Sequence, residues 1–288
     1  MSRLNWTDDK LISRLINNKT DKSRWDNIYV LRKRPSEELF ARCVDLIKSN
    51  YPKNRKIGID ILAQLGVSSR PFLKETLDVY FDLLDVETDP DVLMSLLYSI
   101  GKNNDELGKE QIHKLCSFIH NDNALVKEGL VSALLGINNL TAIATLIKLS
   151  SFKSSHVRNW ATFGLGTMIE TDNKAIREAL WKRVNDKHQE TRLEAIVGLA
   201  KRKDERVNDI ITCEINNGEY GILLFEAIVE TKDGKFLPLL KQNLKAIEGD
   251  QTINPEWRRA LENCIIDLAK LMKTDLEEHL ATKTEIGE

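Results

Sequence analysis

His156-Val157-Arg158-Asn159-Trp160-Ala161-Thr162-Phe163-Gly164-Leu165-Gly166 and Glu190-Thr191-Arg192-Leu193-Glu194-Ala195-Ile196-Val197-Gly198-Leu199-Ala200 follow one template. Val157 and Thr191 hold the same place in it. Ser23, Ile57, Val92, Val126, Leu223 and Trp257 hold that place in six further segments. The eight anchors are spaced by 34, 35, 34, 31, 34, 32 and 34 residues. A fixed period of this size means stacked helical hairpins, each burying its apolar face on its neighbours.

The columns of the template give each hairpin its parts. Three residues before the anchor stand Thr20, Asn54, Asp89, Asn123, Ser154, His188, Tyr220 and Asn254. Most are residues whose side-chain oxygen accepts an orphan N–H at a helix start. Anchor positions 0, 4 and 8 are mainly apolar, as in Val92, Leu96 and Ile100, and share one stripe of a helix, here called helix B. Small residues at position 7, among them Gly164 and Gly198, admit a close neighbour. Gly66, Gly101 and Gly166 read as C-caps. An amphipathic helix A precedes each helix B, as at 36–47, 71–84, 110–119, 141–149, 174–184 and 236–244, with 5–16 as the first. A short closing helix is expected over 274–280 and a polar tail over about 281–288.

The Val/Thr-Arg, Ala and closing Gly-Leu of the two quoted segments resemble the helix-B signature of the HEAT-repeat superfamily, in particular its bacterial HEAT-like, or bilin-lyase-like, branch. The resemblance spans nearly all of 1–288. It implies one all-α domain: a right-handed α-solenoid of about eight HEAT-like hairpins. The first, second and seventh repeats depart from it, with Asn27 in a core column and no arginine at Gly58 or Leu224.

The chain has 288 residues, 42 basic and 44 acidic, for a net charge of -2. That balance gives no overall pull toward nucleic acid or anionic membrane. No run approaches the ~18 apolar residues of a membrane span, and a cytoplasmic protein is expected. Cys43, Cys116, Cys213 and Cys264 form no CxxC pair and read as buried reduced thiols. No phosphate-cradling glycine loop, histidine-based metal set or nucleophile triad is visible. No catalytic residue, metal or cofactor is therefore expected.

Arginines recur one residue after the anchor. Acidic residues often stand at position 3 of the next repeat. Arg24 with Asp60, Arg158 with Glu194 and Arg192 with Glu226 are expected to form an inter-repeat ladder that sets stacking register, with Lys127 facing Trp160. Positions 2 and 6 point away from the inner stripe, and in HEAT-like stacks that direction is the concave side. They carry Trp25, Tyr29, Met94, Tyr98, Glu128, Asn159, Phe163, Phe225 and Arg259. Two readings fit these columns: a groove that grips a protein or peptide, or curvature that buries helix B nearly all round. The expected function is a non-enzymatic protein- or peptide-binding scaffold. The alternative is a nucleic-acid-binding or DNA alkyl-base glycosylase-like HEAT protein. Basic clusters at 32–34, 53–56 and 201–203 read as solvated charge at helix ends.

Overall fold

A computed structural model describes residues 2–17, 20–218 and 220–285. The described residues contain helices and turns but no strand. The structure divides into two compact units, 1–149 and 150–288, parted inside the fifth hairpin. The first holds α1 (Asp8–Asn17), α2 (Asp21–Leu31), α3 (Glu37–Ile47), α4 (Pro52–Leu62), α5 (Leu73–Leu84), α6 (Pro90–Gly101), α7 (Lys109–Ser117), α8 (Ala124–Leu134) and α9 (Leu140–Leu149). The second holds α10 (Ser155–Phe163), α11 (Lys174–Trp181), α12 (Gln189–Lys201), α13 (Val207–Asn217), α14 (Ile222–Thr231), α15 (Phe236–Ala246) and α16 (Pro255–Glu285).

Within each unit the even-numbered helices pack side by side. In the first, α4 touches α2 and α6, and α6 touches α8; in the second, α12 touches α10 and α14, and α14 touches α16. Each odd-numbered helix from α1 to α7 and from α11 to α15 packs on the even-numbered helix that follows it. The inner stripe explains this layering. Val92, Leu96, Ile100, Val126, Leu130, Leu134, Val157, Ala161 and Leu165 are all fully buried. Burying one such side chain contributes about 1.5–3 kcal/mol, so the column is the main source of cohesion.

Side-chain caps begin several B helices where expected. Asp89 accepts from the N–H groups of Asp91 and Val92, Asn123 from Leu125, and Asn254 from Glu256. Asn54 is no cap: α4 already begins at Pro52, a residue suited to a first helical turn, so Asn54 lies inside it. Of the three expected glycine C-caps only Gly66 is left-handed, with φ at 85°. Gly101 ends α6 without a positive φ, and Gly166 lies in a π-helical turn, Gly164–Met168. Both are small because a neighbour presses on them: a Cβ would meet the Ser132 carbonyl at Gly101 and the Gly198 backbone at Gly166.

No separate closing helix exists over 274–280. The chain from Pro255 to Glu285 is one helix because no proline, glycine or cap interrupts it. It therefore also runs through most of the expected tail; 286–288 lie outside the described residues. Cys213 is exposed, unlike the other three cysteines, because it lies on the outer side of α13. Among the described residues no helix is long and apolar enough to cross a membrane.

Candidate functional site

The arginine column explains itself one contact at a time. Arg24 does pair with Asp60, which also accepts from the Ser95 hydroxyl at 2.8 Å. Burial pushes the Asp60 carboxyl up, and Arg24 pulls it back. The other two expected rungs are not made. Arg158 forms a two-pronged pair with Asp186, at 2.8 and 2.9 Å, instead of with Glu194. Arg192 takes Glu214 at 2.8 Å, and Glu226 is held by Lys201 at 2.9 Å.

The cause is side-chain direction. Position 1 lies in the first turn of helix B, and long side chains there lean toward the helix N-terminus. They meet the carbonyl oxygens that helix A and its turn leave unpaired. Arg158 accordingly donates to the carbonyls of Phe152 and Lys153, Arg192 to that of Asp186, and Arg258 to those of Ile247 and Asp250. Lys127 donates to the carbonyls of Phe118 and Ile119. Arg158, Arg192, Arg258 and Lys127 thus fasten their own hairpin's turn, and Arg24, Arg158 and Arg192 reach the next hairpin.

The expected groove residues divide sharply. Ile59, Ala63, Leu193, Val197 and Phe225, all in columns 2 and 6, are buried. Phe225 is a correction: it packs against Tyr220 and Trp257, with centroids 5.5–5.6 Å apart around the trio, and is 4% exposed. Asn159 donates to Glu190 at 3.2 Å, and Phe163 stands edge-on to Trp160 at 5.6 Å. Glu128, Met94, Tyr98 and Phe163 are half-buried, and Arg259 is exposed. Burial, and then Glu128, push the Tyr98 phenol up. Among the described residues no group of three or more His, Cys, Asp or Glu could hold a metal.

Trp25 and Tyr29 differ from the rest. They lie one turn apart on α2, 46% and 51% exposed. Cations surround both rings. The Arg32 guanidinium and the Lys33 ammonium each lie 4.2 Å from the Tyr29 centroid. Lys102, from the end of α6, lies 5.9 Å from the Trp25 centroid, as does Arg24. Lys102 follows Met94 and Tyr98 at four-residue steps, so all three share one face of α6. The Lys102–Trp25 contact brings the end of that face near the exposed side of α2. Hydrogen bonding with Lys33, its charge and then Arg32 lower the pKa of the Tyr29 phenol.

Lys102 has no place in the columns read from sequence, and Arg32 and Lys33 read there as solvated charge. The four-residue step from Met94 to Lys102 was the available signal. A second apolar feature, unforeseen, is a cleft lined by Glu190, Leu193, Tyr220, Ile222 and Trp257 at the N-terminal ends of α12, α14 and α16.

No family model matches the chain. It is 26% identical over 253 residues to the protein YibA of Escherichia coli K12, an alignment covering 85% of this chain and 88% of YibA. The crystal structure of YibA superposes with a TM-score of 0.74 at 22% identity, covering 93% of this chain and 94% of that one. The chain therefore shares its helical fold with YibA. Human deoxyhypusine hydroxylase, solved with glycerol, reaches a TM-score of only 0.35 at 13% identity, over 91% of this chain and 96% of that one, too distant to bear on fold or activity.

Proposed function

We propose that the protein is a non-enzymatic, HEAT-like binding scaffold, a right-handed α-solenoid that holds a protein or peptide against the outward face of its B helices. The exposed pair Trp25–Tyr29 carries this reading. Two large aromatics side by side and half in water on one helix face offer apolar area that a partner can cover, and such anchors dominate recognition energy. Met94 and Tyr98, on the face that ends in Lys102, extend the surface with adaptable apolar area. The four free cysteines suit a reducing compartment such as the cytoplasm.

A photo-reactive benzophenone side chain placed at position 29 tests this in cell extract. The expected product is a protease-sensitive polypeptide adduct. Trp25→Ala should reduce its yield about tenfold, an effect of ~1.4 kcal/mol, while leaving the melting temperature unchanged. No adduct, or one removed only by nuclease, would overturn the reading in favour of no partner or of the nucleic-acid alternative.

A further inference from the structure

We infer that the aromatic–cation cluster of α2 and α6 receives an acidic segment of the partner polypeptide, its carboxylates answered by Arg32, Lys33 and Lys102 and its apolar side chains by Trp25 and Tyr29. This rests on the scaffold reading above and goes further by fixing the chemistry of the partner.

The argument is one of unmatched charge. Some basic side chains of this chain meet carboxylates: Arg24 meets Asp60, Arg55 meets Glu87, Arg158 meets Asp186, Arg192 meets Glu214 and Arg206 meets Asp204. Acidic residues even outnumber basic ones, 44 to 42. Yet no carboxylate of the described residues lies within ion-pair distance of Arg32, Lys33 or Lys102. Arg32 donates to the neutral Gln64 side chain at 2.9 Å, Lys33 lies over the Tyr29 face, and Lys102 lies over the Trp25 face while acting at longer range on the buried Asp60, which Arg24 already pairs. Cation–π contact at an exposed ring offsets only part of an ammonium's attraction for an anion.

The position of the cations at the ends of α2 and α6 accounts for their presence, because a helix C-terminus favours positive charge. It does not account for two exposed aromatic rings placed between them. A segment in which carboxylates alternate with apolar side chains would satisfy both. Nucleic acid is the less suited occupant. Three cations in a chain of net negative charge release few counterions, and so supply little of the phosphate-driven affinity.

Fluorescence anisotropy of the full chain decides the matter. Three labelled probes are titrated: a short peptide alternating Glu and Leu, the same peptide with Lys in place of Glu, and oligothymidylate. The Glu peptide should bind, weaken with added salt and weaken about tenfold or more in Lys33→Glu/Lys102→Glu. Trp25→Ala should weaken it with no change in salt slope. Failure of the Glu peptide to bind, equal binding of the Lys peptide, tighter binding of oligothymidylate, or indifference to the charge reversal would each overturn the assignment. If the position-29 cross-link still captures a polypeptide, the scaffold reading survives and only the acidic character of the partner falls. If neither is seen, both fall. Unchanged melting temperatures exclude misfolding of the variants as the cause.

Discussion

Glu194 shows what a single carboxylate undergoes when its expected partner goes elsewhere. Arg158 is drawn to Asp186, and one Glu194 oxygen is buried without a hydrogen bond. Burial, and then the charge of Glu226, push its carboxyl up from 4.5 to about 7, against the pull of Lys201. An unfolded chain releases this proton near 4.5 and the folded chain near 7. Stability is therefore fully present below the lower value, falls as pH rises between the two, and stays reduced above. Glu194→Gln should melt above the parent protein at pH 8, by the equivalent of about 1 kcal/mol once screening at a half-exposed site is allowed for. The two melting curves should converge toward pH 4. A difference independent of pH would count against this account. The sequence placed acid and base in neighbouring repeats. It could not choose between Glu194 and Asp186, because that choice depends on the direction of one rotamer and on which carbonyls it meets on the way.

Helix packing was easier to read than side-chain pairing. The small position 7 predicted close approach, and Gly198 of α12 makes it: an added Cβ would collide with Gly166 and press on the Leu180 side chain. Gly198→Ala should cost about 2 kcal/mol through overpacking, although alanine is the better helix former. Chemical denaturation measures this, and unchanged stability would place the two segments farther apart than described. The C-cap reading of Gly101 and Gly166 failed for a related reason. Glycine serves left-handed turns and close contacts alike, and a linear pattern does not separate the two uses. The continuous α16 was legible in principle, since its residues between Cys264 and Thr274 hold no breaker.

Cohesion across a whole unit depends on links between successive hairpins. Arg202 is such a link in the second unit. Buried at the end of α12, it donates to the carbonyls of Leu165, Gly166, Ile169, Thr171 and Gly198. Burial lowers its pKa. Arg202→Ala should cost about 3 kcal/mol, because several carbonyls lose their donor at once. Hydrogen exchange should report the loss first over 164–171 and the end of α12, and later in α16. Uniform loss of protection throughout the unit would show that its hairpins unfold together rather than by nearest-neighbour steps. Nothing in the local sequence marks Arg202 apart from Lys201 and Lys203. Its burial arises only when α12 lies beside the π-helical turn.

The order of amino acids by itself determined the period, the alternation of helices and the inner stripe, since these follow from spacing along the chain and the 3.6-residue turn. Only the tertiary structure decided which outward side chains stay in water. Ile59 and Trp25 occupy the same column, and one is sealed while the other is open. That difference comes from what the neighbouring helices lay over each position, a property of three dimensions with no signature in the repeat. The same holds for Lys102, which reaches the Trp25 ring from the end of α6, whereas Arg32 and Lys33 stand three and four residues after Tyr29 at the end of the same helix and were legible in the spacing.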